Sequence, residues 1–192
     1  LYKYLNYIAR TKNNNAMSLN RLFCRGWVCA VLCIILFAGN TAFAQRSVTR
    51  YVDNHKEIAV KLMNETGIPA SVILGVAMLE SGSGTSKNAK LLHNHFGIVG
   101  RNKLHKIKGA TYRSKYKEFS SDAESYQYFV GMLSRKKWFS KVKGKPEYKL
   151  WLTHMNHGGY SSAGQEWVKR VTNMITKHKL YKLDEQMAYS KN

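Results

Sequence analysis

The sequence predicts an α+β domain, mainly helical, with one small β-lobe let into it. Three observations carry this. Apolar residues recur at helical spacing through most of the chain after residue 45. One stretch, Phe96 to Phe119, breaks that rhythm with glycines, lysines and β-formers. The only prolines are Pro69 and Pro146, each suited to the first turn of a helix, where a missing N–H costs nothing.

Each element has its own signal. Val52, Ile58, Ala59, Leu62 and Met63 predict a first helix from Val48 to Thr66, stopped by Gly67. The second runs from Pro69 to about Glu80, and a short third follows Ser86 with Ala89, Leu91 and Leu92. "ATYRSKYKEF" alternates loosely and predicts a β-hairpin. Ser121-x-x-Glu124 reads as a capping box opening a helix through Tyr126, Phe129, Val130 and Leu133. Two helices then carry Trp138, Phe139 and Val142, and Tyr148, Trp151, Leu152 and Met155. After Gly158-Gly159, Ser162-x-x-Gln165 reads as a second capping box. The last helix follows, with Trp167, Val168, Val171, Met174 and Ile175 on one side, and the charged tail after Leu180 is expected to fray.

The first part of the chain reads as a leader. Residues 1–16 are polar, Asn-rich and taken as an upstream extension. In 17–44, Arg21 and Arg25 precede an apolar run from Trp27 to Ala38, and Ala42-Phe43-Ala44 gives the small residues of a cleavage site. A membrane span needs about 20 apolar residues, so cleavage after Ala44 is favoured over a retained anchor. That leaves a domain at 45–180 and a tail at 181–192.

Cysteine and charge narrow the setting. Cys24, Cys29 and Cys33 all lie in the leader, and the bulky Leu32 argues against lipid attachment at Cys33. The remaining chain has no thiol, which excludes disulfides and thiolate–metal sites and suits a bacterial envelope. All 11 acids but only 26 of the 31 lysines and arginines lie after Ala44, an excess of 15 positive charges. Export argues against nucleic acid as the partner. A polyanionic wall or an anionic glycolipid is the surface such a charge would meet, and a merely soluble basic surface explains it equally well.

"VAMLESGSGTS" is the stretch most suggestive of chemistry. Val72, Ile73, Val76, Ala77 and Leu79 leave the second helix without a polar stripe, so it should be buried. Glu80 closes it. Partial desolvation and the negative end of the helix dipole are both expected to favour its neutral form, as a general acid at a glycosidic oxygen needs. Ser81-Gly82-Ser83-Gly84 would let a polymer lie close to the backbone. On pattern alone, an ordinary exposed helix-end glutamate with a glycine cap is as good a reading.

Four segments in order add a resemblance. "ILGVAMLESGSGTS", "NHFGIVG", "YKEFSSDAESYQYFVGML" and "GGYSSAGQEWVKRVTNMI" are similar to the glucosaminidase domain of bacterial peptidoglycan hydrolases, glycoside hydrolase family seventy-three, over about Ile58 to Lys177. The resemblance implies a lysozyme-like fold with a groove between a helical body and a β-hairpin lobe. It implies hydrolysis of the β-1,4 bond after N-acetylglucosamine in peptidoglycan. Glu80 matches the family's general acid and Tyr160 its tyrosine near the scissile bond. Asn94, Phe96 and Gly97 match a groove-lining segment. Ser83 stands where the family often has a sugar-stacking tryptophan.

A second departure concerns mechanism. Many members carry another carboxylate in the β-lobe, yet Gly100 to Lys117 holds no Asp or Glu. Glu118 is the nearest candidate, since Asp122 and Glu124 are expected to serve the helix start. Three routes follow: attack by the substrate's own 2-acetamido oxygen, Glu118 as a base for water, or a lytic transglycosylase using Glu80 alone. A non-catalytic wall-binding protein is the reading from another class. No cofactor is expected. Nor is a metal: His93-x-His95 and His154-x-x-His157 lack the H-E-x-x-H pattern and any cysteine. The protein is expected to act as an exported monomer in the periplasm or wall space, on peptidoglycan strands, with no nucleic acid and no stable membrane insertion.

Overall fold

A computed structural model describes residues 46–103 and 114–187. The leader, the tip of the expected hairpin and the last five residues lie outside these. Helix α1 covers residues 46–66, then come α2 (Ala70–Ser81), α3 (Lys87–Leu92), α4 (Asp122–Ser134), α5 (Phe139–Val142), α6 (Tyr148–His157) and α7 (Gly164–Lys177). A 3-10 helix, Leu180–Gln186, ends the described chain. No helix among the described residues is long and apolar enough to cross a membrane.

The body is built around α2. Every residue from Ala70 to Met78 is buried, as a helix with no polar stripe requires. Buried side chains of α4 (Tyr126, Phe129, Leu133), α6 (Trp151, Leu152, Met155) and α7 (Trp167, Val171, Ile175) share its core. The approach of α7 depends on Gly75: a Cβ there would stand 2.7 Å from Ile175 Cγ1. Pro69 occupies the N-cap position of α2, one residue earlier than expected. The buried polar Ser71 is satisfied from far away, since Asp184 accepts its backbone N–H at 2.9 Å and its hydroxyl at 2.6 Å.

That contact overturns the expectation of fraying for residues 181–187, while 188–192 lie outside the described residues. Leu180, Asp184 and Met187 are buried, and Asp184 pins the 3-10 helix to the start of α2. Burial pushes the Asp184 carboxyl up to about 6.

The expected caps fare differently. Ser121 accepts the Glu124 N–H as predicted, but Glu124 bonds the N–H and hydroxyl of Ser120 instead of closing the box on Ser121. Ser162 caps nothing: α7 starts later, at Gly164, with Ala163 at its N-cap and no side-chain bond. Ser161 takes the Ala163 N–H in a turn that delays the helix.

The expected β-lobe is reduced to its base among the described residues. Val99 and Tyr116 form one antiparallel bridge, flanked by Gly100 N–H to Lys115 O at 3.0 Å and Lys117 N–H to Ile98 O at 2.7 Å. No longer strand occurs among the described residues, and the turn joining the two segments lies outside them.

Candidate active site

The last turn of α2 delivers Glu80 to the surface. Ser81 follows, buried and bonded back to Ala77 O, and Gly82 in the left-handed region caps the helix. Glu80 is exposed and followed by a glycine cap, so the fold provides the exposed helix end that the pattern also allowed and not the partial desolvation. What holds it is a bond the sequence did not disclose: the indole N–H of Trp167 donates to Glu80 Oε1 at 2.9 Å. Trp167 was expected as part of a core stripe, and it is buried. Its nitrogen sits at the rim of that core, and no local pattern marks it.

Glu80 opens onto a groove of about 530 Å³ lined by Phe96, Gly97 and Ile98 on one side and Tyr128, Met132 and Lys136 on another, with Gly159 to Ser162 closing it. Gly97 has φ +64°, a backbone state that favours glycine, and its Cα faces Glu80 Oε2. A Cβ there would come within 3.7 Å of that oxygen. The two carboxylate oxygens are therefore distinct: Oε1 is held by Trp167 and Oε2 is on the Gly97 side.

Tyr160 joins this wall. Its ring lies 5.0 Å from that of Trp167 and edge-on to Phe129, and its hydroxyl is buried with no hydrogen-bond partner among the described residues. Burial, then the charge of Glu80, hold that hydroxyl well above the ordinary phenol range, so it stays a donor.

The remaining expected site residues are placed less directly. Asn94 is buried beneath the groove and organises its edge. Its amide donates to Ile98 O and Lys117 O, and its oxygen accepts the N–H groups of Phe96 and Ile98. Ser83 sits in the turn after α2 at φ 53° and does not line the groove. Glu118 also lies outside it, bonded to the backbone N–H of Lys103 at 2.8 Å and its ammonium at 2.7 Å, which lowers its pKa. Asp122 does more than complement a helix start: it faces His55, His93 and His95. Among the described lining residues Glu80 is the one carboxylate.

The site is thus a buried apolar helix ending on one groove-facing acid, with a tyrosine and a tryptophan around it. Residues 56–180 match the glucosaminidase family, described as mannosyl-glycoprotein endo-beta-N-acetylglucosaminidase. The chain belongs to this family. It is a glycoside hydrolase by class. The chain is 25% identical over 150 residues to the exo-glucosaminidase LytG of Bacillus subtilis (strain 168), across 70% of its own length and 53% of that protein. It thus spans about half the length of this relative. Among solved structures, the glycoside hydrolase domain of Salmonella typhimurium FlgJ gives a TM-score of 0.55 at 22% identity, covering 74% of this chain and 95% of that one. The catalytic domain of the autolysin Auto from Listeria monocytogenes gives 0.55 at 18%, covering 71% and 87%. A peptidoglycan hydrolase from Sphingomonas sp. A1 gives 0.55 at 19%, covering 72% and 95%. At these identities the solved structures establish the shared fold.

Proposed function

We propose that this glucosaminidase is exported and hydrolyses the β-1,4 bond after N-acetylglucosamine in peptidoglycan, with Glu80 as general acid and the substrate's 2-acetamido group as nucleophile. The observation that carries this reading is the setting of Glu80. It is the one carboxylate among the described residues of an open groove, and one of its oxygens is already engaged by Trp167.

The chemistry follows from that setting. With Oε1 accepting from the indole, the transferable proton belongs on Oε2, on the Gly97 side of the groove. Glu80 passes it to the glycosidic oxygen as the bond to the anomeric carbon breaks. The acetamido oxygen bonds to that carbon in its place, giving a cyclic oxazolinium. Water then opens the ring, losing a proton to the Glu80 carboxylate, which restores the acid. Tyr160 lines the groove with its hydroxyl buried and unpartnered among the described residues, and in this reading it donates to the acetamido group or orders that water. Tyr128 and Met132 offer apolar surface to sugar rings, and Lys136 offers a cation to the acidic groups of the wall polymer.

Replacing Glu80 by Gln keeps the shape and the Trp167 bond but removes the acid. The E80Q variant should clear purified cell wall at least about 10³-fold more slowly than wild type, within the span that general-acid catalysis supplies. Equal rates would exclude Glu80. A second reading, lytic transglycosylation, draws on the same lone carboxylate. There the muramyl 6-hydroxyl replaces water, and the products carry anhydro ends.

A further inference from the structure

Away from the groove, three residues distant in sequence converge. His55 comes from α1, His95 from the loop before the groove, and Asp122 from the first turn of α4. His55 Nε2 lies 3.2 Å from Asp122 Oδ2, and His95 Nε2 lies 3.1 Å from Asp122 Oδ1. One ligand-type atom from each residue falls within 4.8 Å of the others. None of the three lines the groove.

We infer that His55, His95 and Asp122 form a binding site for one divalent transition-metal ion, with Zn²⁺ the ion its donor set suits best.

The outward ring nitrogens argue for it. His55 Nδ1 is 2.8 Å from the carbonyl oxygen of Tyr51, which only accepts, so this nitrogen carries the hydrogen. In the neutral ring Nε2 then presents a lone pair, and it faces a carboxylate. Two electron-rich atoms at that distance need a cation between them, a proton or a metal. His95 Nδ1 is bonded at 2.8 Å to the Tyr51 hydroxyl, which can donate or accept, and its Nε2 also faces Asp122. Both imidazoles are thus held from behind by one residue, the outer support that metal-binding histidines commonly have.

His95 separates the two kinds of cation. Its side chain is 4% exposed, and Nε2 has no hydrogen-bond partner among the described residues although a carboxylate oxygen stands at 3.1 Å. The oxygen lies off the direction in which an N–H would point. A shared proton requires that alignment. His55 Nε2 meets it with Asp122 Oδ2, His95 Nε2 does not meet it with Oδ1, and a metal ion bound by all three residues needs no such alignment. Two imidazoles and a carboxylate with a fourth place for water form a zinc-type set, whose bonds of about 2.0–2.2 Å put neighbouring ligand atoms roughly 3.4 Å apart. The two nitrogen–oxygen separations, 3.2 and 3.1 Å, are close to that value. Exposed His93, with Nδ1 2.7 Å from Asp122 Oδ1, covers the carboxylate from the solvent side. Such an ion would tie α1, the groove loop and α4 together and so brace the segment that carries Phe96 and Gly97.

The test uses the full chain after treatment with chelator. Zn²⁺ is titrated by calorimetry, and Co²⁺ is added to read its d–d absorption. The expected result is one equivalent of Zn²⁺, a Co²⁺ spectrum of low coordination number, and a melting temperature that rises with Zn²⁺. His55→Gln and His95→Gln should each weaken binding by about tenfold or more, while H154Q/H157Q should bind as wild type. If H95Q does not fold by circular dichroism, H55Q decides. Wild type that binds no Zn²⁺, or binding that H55Q leaves unchanged, would overturn the proposal.

Discussion

The indole N–H of Trp167 bonds Glu80 Oε1 at 2.9 Å, joining α7 to the end of α2 across 87 residues of sequence. This bond decides which face of the carboxylate meets the groove. It also makes the acid's orientation a property of the core, because Trp167 is otherwise packed among buried residues.

Trp167→Phe should therefore separate orientation from folding. The ring still fills most of the space, but the donor is gone. As Glu80 gives up its proton the carboxylate becomes charged, and a hydrogen bond to a charged group contributes about 1.5–3 kcal/mol, so kcat/KM for muropeptide release should fall roughly 10- to 100-fold. Circular dichroism should remain that of wild type. Unchanged kcat/KM would mean that the bond does not matter to the reaction.

Gly97→Ala tests the groove edge. At φ +64° an alanine is strained by about 1–2 kcal/mol, and its methyl group would stand next to Glu80 Oε2. The expected outcome is a melting temperature lower by several degrees together with weaker activity. A variant as stable as wild type would show that the loop adopts another conformation in solution.

Glu118→Gln should leave activity within about twofold of wild type, since surface changes away from a site have small effects. Glu118 is held by Lys103, outside the groove. Loss of activity with the fold intact would restore Glu118 as the second carboxylate and replace the substrate-assisted route.

Asp184 sets a pH dependence of stability. Its folded pKa of about 6 lies above its ordinary value of 3.8, so the folded state binds this proton more tightly than the unfolded state. The stability it contributes is fully present below about pH 4 and is lost as pH rises through about 6. The loss is at most about 3 kcal/mol. Urea midpoints at pH 5 and pH 7.5 measure it: this component of the difference should vanish in Asp184→Asn. An identical pH profile in the variant would contradict the assignment.

Much of this was readable from the chain, for physical reasons that differ by element. The apolar run of α2 has one outcome, burial, because no face of it tolerates water. The Ser121 cap follows from a bond three residues long. Ser162 shows the limit of such local reading: the competing turn through Ser161 moved the start of α7 to Gly164. The exposure of Glu80 and its bond to Trp167 depend on how α7 crosses α2, which no spacing encodes. The same is true of Asp184 reaching Ser71 across 113 residues and of Asp122 gathering three histidines. His93-x-His95 looked like a pair, yet the fold exposes one ring and buries the other.

The central claim is that Glu80 donates a proton and water completes the cleavage. Mass spectrometry of the fragments released from purified peptidoglycan tests it most directly, run with wild type and with E80Q. Wild type should release reducing N-acetylglucosamine ends, and E80Q almost none. Anhydro-muramic ends, or the same reducing ends from both proteins, would contradict it.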